Sequence, residues 1–461
     1  MGKSVAIGRG AVFLLGSLAA AGCVPHAQLE VAPTLQSTQW SSTAAAPTAA
    51  PQAQPANLGA AFGSPELERL ISQAVAANAD VGIAQARIRQ ARAQFRSARG
   101  AMLPVVNASA GVSGIQTQQR TSDPFNFSEA FGGLDISFDL DLFGVARAGR
   151  RAARERLRAA EFDRDTAQLV VQSEVARIYV QRATLTARIA LLDRNIEQGL
   201  ELERIIRARF NAGDATRVDL GLQTIQVRQL QTDRLRLDQA LDHTRTALAV
   251  LIGAEAPGFQ LAPAPLDSLS PPNLALVQPS ALLVRRPDIR AAEARIDAAG
   301  GDVQQARAAF FPRISLSASG LSQAATLGGP LSSTFSIGAG LLAPIFNRGQ
   351  LRANLEYSAA RQGESVELYR QVLLTSLAEV EDALAAVERS RARETLLIEV
   401  VDEARLTSRL ARLQYVGGEA DLQRVLDAEQ RLTEAEDART LALQERLEAA
   451  IDLFKAMGGA A

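Results

Sequence analysis

The sequence predicts an α+β protein built as two tandem copies of one unit: a helix, two amphipathic strands, a helical rod and its antiparallel return. Three observations carry this prediction. Residues 78–104 (NADVGIAQARIRQARAQFRSARGAMLP) align without a gap onto residues 286–312 (RPDIRAAEARIDAAGGDVQQARAAFFP) at a shift of 208, with ten of 27 positions identical. The identities include Asp80/Asp288, Arg87/Arg295, Ile88/Ile296, Arg99/Arg307 and Pro104/Pro312, and that fixed spacing marks a duplication. Directly after each proline the hydrophobic period falls from 3.6 to 2. Two proline-free runs of nearly 70 residues, 145–211 and 349–416, then follow the strands.

Composition narrows the function. A chain of 461 residues has room for one large core or two to three domains. Its net charge of −1 gives no basic field for nucleic acid. Apolar residues make up 47% and aromatics only 5%, so the core is rich in small side chains that let helices approach closely. The one cysteine, Cys23, excludes an internal disulfide. His26 and His243 are the only histidines and stand far apart. With no phosphate loop, HExxH or GxSxG pattern, the sequence offers no catalytic, metal or cofactor site.

Residues 1–22 read as a signal peptide. Lys3 and Arg9 precede an apolar stretch, AVFLLGSLAAA, that is too short to span a bilayer. Ala20-Ala21-Gly22-Cys23 resembles a bacterial lipobox, with Ala20 where leucine is usual, which makes Cys23 the site of lipid attachment. The alternative is an ordinary signal peptide cut near Ala21, with Cys23 a free thiol. Val24, in place of aspartate, favours sorting to the outer membrane. Residues 23–61 are rich in Ala, Pro, Gln, Ser and Thr without periodicity and read as a tether, with Trp40 in a packing contact.

The first repeat spans 62–253. Ser64 is the expected N-cap, Pro65 suits the first helical position, and Glu66 and Glu68 favour the positive helix end. Leu67, Leu70, Ile71 and Ala74 form one stripe, and the helical pattern runs to about Met102. The hairpin is expected over 105–143. Val106, Ala108, Ala110 and Val112 alternate with polar residues; after a loop, 120–133, Leu134, Ile136, Phe138, Leu140 and Leu142 alternate with Asp135, Ser137, Asp139 and Asp141. The second repeat, 280–457, repeats the plan with a hairpin at 313–345, after a proline-rich linker at 254–279. Each strand has the length of a tilted transmembrane strand. A half-buried soluble hairpin shows the same alternation.

Both rods, on the order of 100 Å long, close in the same turn. Gly213 is followed by Thr216 and Gly418 by Asp421, glycine suiting the left-handed C′ position and Thr or Asp the next N-cap. Returning helices are expected from Leu220 and Leu422. Charge alternation along the rods, including Glu379, reads as solvated faces. Four strands cannot close a barrel, and no sheet edge survives in lipid. Membrane hairpins therefore require several chains, and three would supply twelve strands.

RRPDIRAAEARI and ARAAFFPRISL carry a resemblance, joined by LDLFG at 140–144, PIFNRG at 344–349, LRAN at 351–354, Tyr415 with Gly418, and VLDA at 425–428. From about residue 60 to 457 the chain resembles outer-membrane channels of the TolC superfamily, in the OprM/NodT-like lipoprotein branch. The resemblance implies a homotrimer with a twelve-stranded transmembrane β-barrel, four strands per chain, continued by a long periplasmic α-helical barrel. It implies an exit duct, not an enzyme, without cofactor or metal. Outer-membrane lipid, a periplasmic adaptor protein and an inner-membrane transporter of the RND type are the implied partners. Gly213, Asp214, Thr216, Gly418, Glu419 and Asp421 would dock the adaptor. Tyr415, Gln423, Asp427 and Arg209 would form the periplasmic gate, although Gln414 and Gln423 depart from the family's Arg and Leu. Asp135, Asp139 and Asp141 would face the lumen. A protein-secretion conduit shares this architecture, and a lipid-anchored coiled-coil scaffold without a pore is the remaining alternative.

Overall fold

The computed structural model describes residues 40, 58–117, 125–262, 265–272, 278–324 and 329–459. The signal peptide, Cys23 and all of the tether except Trp40 and residues 58–61 lie outside them. The order is α1 (Leu58–Ala61), α2 (Pro65–Ala77), α3 (Ala79–Gly100), β1 (Val105–Thr117), β2 (Phe125–Leu140), α4 (Val145–Ala212) and α5 (Arg217–Leu251). A 3-10 turn at Leu266–Ser268 follows, then α6 (Pro279–Arg285), α7 (Pro287–Ala308), β3 (Arg313–Ala324), β4 (Leu331–Leu342), α8 (Arg348–Val416) and α9 (Leu422–Ala456). The rods α4 and α8 have 68 and 69 residues. The chain divides into a sheet unit, built mainly from 92–156 and 295–367, and a helical unit, built mainly from 32–91, 157–294 and 368–461.

In the helical unit the expected single first helix is two helices, broken at Asn78. Its backbone leaves the helix (φ −63, ψ 137), closing α2. Its side-chain oxygen then accepts from Asp80 N at 2.8 Å and Val81 N at 3.4 Å, capping α3. Apolar periodicity passes through this break unchanged, so the pattern concealed it. The second copy breaks at the aligned Arg286 (φ −71, ψ 119). Asn78 Nδ2 donates to the Leu251 carbonyl at 2.9 Å, and the Arg286 guanidinium donates to the Ala456 carbonyl at 3.0 Å. Leu251 and Ala456 are the ends of the two return helices, so one architectural joint is made twice with different chemistry.

Leu67, Leu70, Val175, Leu248, Leu282, Ile289, Leu447 and Phe454 fill the core of this unit, and Trp40 is buried with them. Ser64 caps α2 as expected, accepting from Leu67 N, and its hydroxyl also pairs with the Tyr179 hydroxyl at 3.2 Å.

In the sheet unit β1-β2-β3-β4 form one antiparallel sheet in chain order. Strand β2 begins at Phe125, within the expected loop, and ends at Leu140, which leaves Asp141 and Leu142 outside it. Gly132 and Gly133 read as loop punctuation, yet they pair with Ala110 and Ser109 in the ladder. A Cβ on Gly133 would lie 2.9 Å from the Gly320 carbonyl, so glycine there serves close strand approach. Close packing also joins α7 to α4, where a Cβ on Gly301 would sit 2.9 Å from that of Ala152. Phe143 and Phe311 stack with centroids 4.8 Å apart, bringing together the LDLFG and FFP segments.

Candidate functional site

Register decides what each face of the sheet presents. Ile136 lies opposite Val106 and Ala318, and Ala318 opposite Ile337; Phe138 lies opposite Leu316, and Leu316 opposite Ala339. Cross-strand partners share a face, so the apolar sets of all four strands fall together. The other face carries Asn107, Asp135, Ser319 and Ser336 in one row, and Asp139, Ser315 and Gly340 in another. There Ser319 pairs with Ser336 at 2.7 Å; Ser322 and Ser333, 2.9 Å apart, pair instead near the loop end of the face that carries Phe335 and Ile337. In the single chain the apolar face is open: Phe335 is 84% and Ile337 92% exposed. Strands β1 and β4 are edges, with no further strand beside either among the described residues. No described helix is long and apolar enough to cross a membrane.

Asp135 and Asp139 thus occupy the polar face. Asp141 does not: it lies one residue past β2 and caps α4. Its carboxylate accepts from Ala146 N at 3.0 Å and Arg147 N at 2.9 Å, and it pairs with the Arg147 guanidinium at 3.2 Å. Partial burial pushes this carboxyl up, but the backbone donors and Arg147 outweigh it and hold the group below its ordinary value. Alternation placed Asp141 on the strand because residues 134–142 keep period 2 past the strand's end.

In the helical unit both tips form by the same hydrogen-bond pattern. Asp214 N donates to the Arg209 carbonyl and Glu419 N to the Gln414 carbonyl, each at 2.8 Å; Gly213 N and Gly418 N donate to Phe210 and Tyr415, each at 3.1 Å. These are paired Schellman turns. Gly213 (φ +88) and Gly418 (φ +78) hold the left-handed position. Thr216 starts α5 in a capping box with Asp219, and Asp421 starts α9 by accepting from Arg424 N at 3.0 Å. The Thr216 backbone N–H, then its hydroxyl, hold the Asp219 carboxyl below its ordinary value. Asp214, Thr216, Gly418, Glu419 and Asp421 are all exposed.

Leu202, Ile206, Leu220, Tyr415, Leu422 and Val425 form a small core of their own that packs the two tips side by side. The four gate candidates fall into two pairs. The Arg209 guanidinium lies 4.8 Å from the centroid of the Tyr415 ring, which is only 7% exposed. Gln423 Nε2 donates to Asp427 Oδ1 at 2.9 Å on an exposed face of α9.

Sequence reasoning missed the polar side-chain pairs that tie each rod to the last return helix. Arg188 binds Asp437 through two contacts of 2.5 and 2.9 Å, Arg177 binds Asp452, and Asn195 bonds Thr433 at 3.1 Å, all joining α4 to α9. Arg405–Glu436 and Arg446–Glu394, each 2.6 Å, join α8 to α9. Glu379, read as a solvated residue, binds Arg286 at 2.7 Å. Arg286 is 7% exposed and also binds Asp288 at 2.6 Å. Burial lowers its pKa, but the two carboxylates outweigh that and raise it. The one signal in the sequence was the pairing of Asn78-x-Asp80 with Arg286-x-Asp288.

The sequence profile of the family described as "Outer membrane efflux protein" matches residues 70–254 and, separately, 278–459. The chain is 36% identical over 411 residues to the pyoverdine export outer membrane protein OpmQ of Pseudomonas aeruginosa, covering 87% of this chain and 86% of that protein. It is 30% identical to the solvent efflux pump outer membrane protein SrpC of Pseudomonas putida, covering 86% of each. Among solved structures it superposes on the outer-membrane channel OprN with a TM-score of 0.86 at 27% identity, over 94% of this chain and 99% of that one.

Proposed function

The chain belongs to the outer membrane efflux protein family, and from that premise we propose that it is the passive exit duct of a tripartite pump for small molecules. It is an efflux-channel protein of the bacterial outer membrane and not an enzyme. In this reading three chains pool their sheets into twelve strands, β1 of one pairing with β4 of the next, and the rods extend the tube into the periplasm. The observation that carries the reading is the sheet itself: one face predominantly apolar and open, with two edges unpaired among the described residues. Lipid accepts such a face but not such edges, so closure between chains follows.

The remaining roles follow from position. Lipid on Cys23 anchors the chain. The exposed tips dock a periplasmic adaptor, which couples the duct to an RND-type inner-membrane transporter. Asp135 and Asp139 line the lumen, while Asp141 holds the start of α4. At the periplasmic end Gln423 and Asp427 face the axis, where three Asp427 carboxylates repel and attract cations. Arg209 stacked on Tyr415 holds the first tip to the second. Relatives named for pyoverdine and for solvents support small molecules over proteins as cargo.

The test is conductance of the purified full-length protein in planar bilayers. Discrete conductance steps are expected, with longer openings for Asp427→Ala. A protein that never conducts, with or without that substitution, overturns the duct and leaves a scaffold. Crosslinkers placed at Asp214→Cys and Glu419→Cys are expected to recover the adaptor.

A further inference from the structure

The charge of the chain is unevenly placed. The helical segments of the sheet unit, residues 92–104, 141–156, 295–312 and 343–367, carry thirteen arginines against seven carboxylates, six net positive charges in a chain whose total is −1. Arg92, Arg96 and Arg99 follow i, i+4, i+7 spacing on α3, and Arg150, Arg151 and Arg154 follow i, i+1, i+4 on α4. All six are exposed, and none makes an ion pair among the described residues. Arg348 begins α8 in the same exposed state.

Helix electrostatics does not account for this pattern. Arg96 and Arg99 close α3, where cations suit the negative end. Arg147 and Arg348, however, lie in the first turns of α4 and α8, where the dipole is positive and cations are unfavourable, and Arg150 follows in the second turn of α4. Neither helix has an acidic residue in its first turn. Asp141 supplies one carboxylate to α4, already held by Arg147 and two backbone donors. An anion from outside the chain would balance the remaining positive charge.

Position identifies that anion. Arg99 and Arg348 lie six residues from a strand end and Arg150 lies ten, on the order of 10–15 Å at helical rise. The strand–helix junctions between carry exposed Leu103, Leu142, Ile345 and Phe346, the last 100% exposed. Apolar strand, then exposed apolar junction, then arginine is the sequence of layers a chain meets on passing from hydrocarbon to headgroups.

We propose that these turns form an arginine collar that binds the phosphates of anionic phospholipids in the periplasm-facing leaflet of the outer membrane. The proposal rests on the membrane reading of the sheet. Planar guanidinium groups suit phosphate oxygens, and several along each helix hold neighbouring headgroups.

The test uses the full-length protein in detergent, titrated with phosphatidylglycerol or phosphatidylcholine and read by native mass spectrometry. Retention of phosphatidylglycerol over phosphatidylcholine is expected. Each arginine neutralised is expected to weaken that retention about fivefold, so R150Q/R151Q and R96Q/R99Q should each lose about 25-fold. Raising salt from about 0.1 M to about 1 M shortens the screening length from about 10 to about 3 Å and should weaken the wild type alike, which keeps the test independent of whether a variant folds. Equal retention of the two lipids, or displacement of phosphatidylglycerol by millimolar inorganic phosphate, overturns the collar. Conductance in phosphatidylcholine bilayers is measured in parallel. A protein that conducts there but shows no lipid preference refutes the collar alone, and one that never conducts refutes the duct.

Discussion

Arg286 is held by two carboxylates and a helix-terminal carbonyl while itself buried, so its truncation leaves charge and a carbonyl without partners. Arg286→Ala is expected to cost about 3–5 kcal/mol, read as a lower unfolding temperature of the purified protein. Asn78→Ala, at the aligned position, removes a neutral bond and a cap and is expected to cost only about 1–2 kcal/mol. A loss of equal size at the two positions would mean that the ion pairs add nothing to the joint. Neither role was legible in the sequence. The alignment discards Asn78/Arg286 as a mismatch, although the position is the same: each side chain reaches the last carbonyls of a return helix.

The strands and tips have separate tests. Ile337 lies on the apolar face and Ser336 on the polar one. Ile337→Arg is expected to oppose membrane insertion by about 2–4 kcal/mol, read as loss from the outer-membrane fraction. Ser336→Arg should insert normally and alter conductance instead; the reverse result would invert the faces. At the first tip, the depressed folded pKa of Asp219 means that its capping box contributes fully above the unfolded value of about 4. That contribution is lost as pH falls through the folded value. Amides of the tip are therefore expected to exchange faster, relative to the rest of the chain, below about pH 4, and Asp219→Asn should remove the dependence. The tips were legible because glycine followed by Thr or Asp is local chemistry. The start of β2 was not, because glycines that punctuate a loop also serve where two strands approach closely.

For the whole molecule, the expected outcome is closure between chains. Ser109→Cys on β1 with Ser336→Cys on β4 should give crosslinked species up to the trimer with a short bifunctional thiol reagent in outer-membrane vesicles. A product ladder that stops at the monomer would contradict the shared barrel. The polar pairs between rod and return helix bear on assembly too. Arg188–Asp437 and Asn195–Thr433 join the first rod to the last helix, so the two halves of the chain are tied along their length and not only at the core.

The sequence by itself determined the four strands and their apolar alternation, the two rods and both tips. Each is a matter of periodicity, glycine or capping, and those signals are local. Only the tertiary structure decided which charges meet. Arg286 with Glu379, Arg188 with Asp437 and Arg209 over Tyr415 join residues 93, 249 and 206 apart. An arginine on a helix carries the same local signature whether it faces water or a partner. What distinguishes the two is which helix lies alongside, and that is fixed by packing.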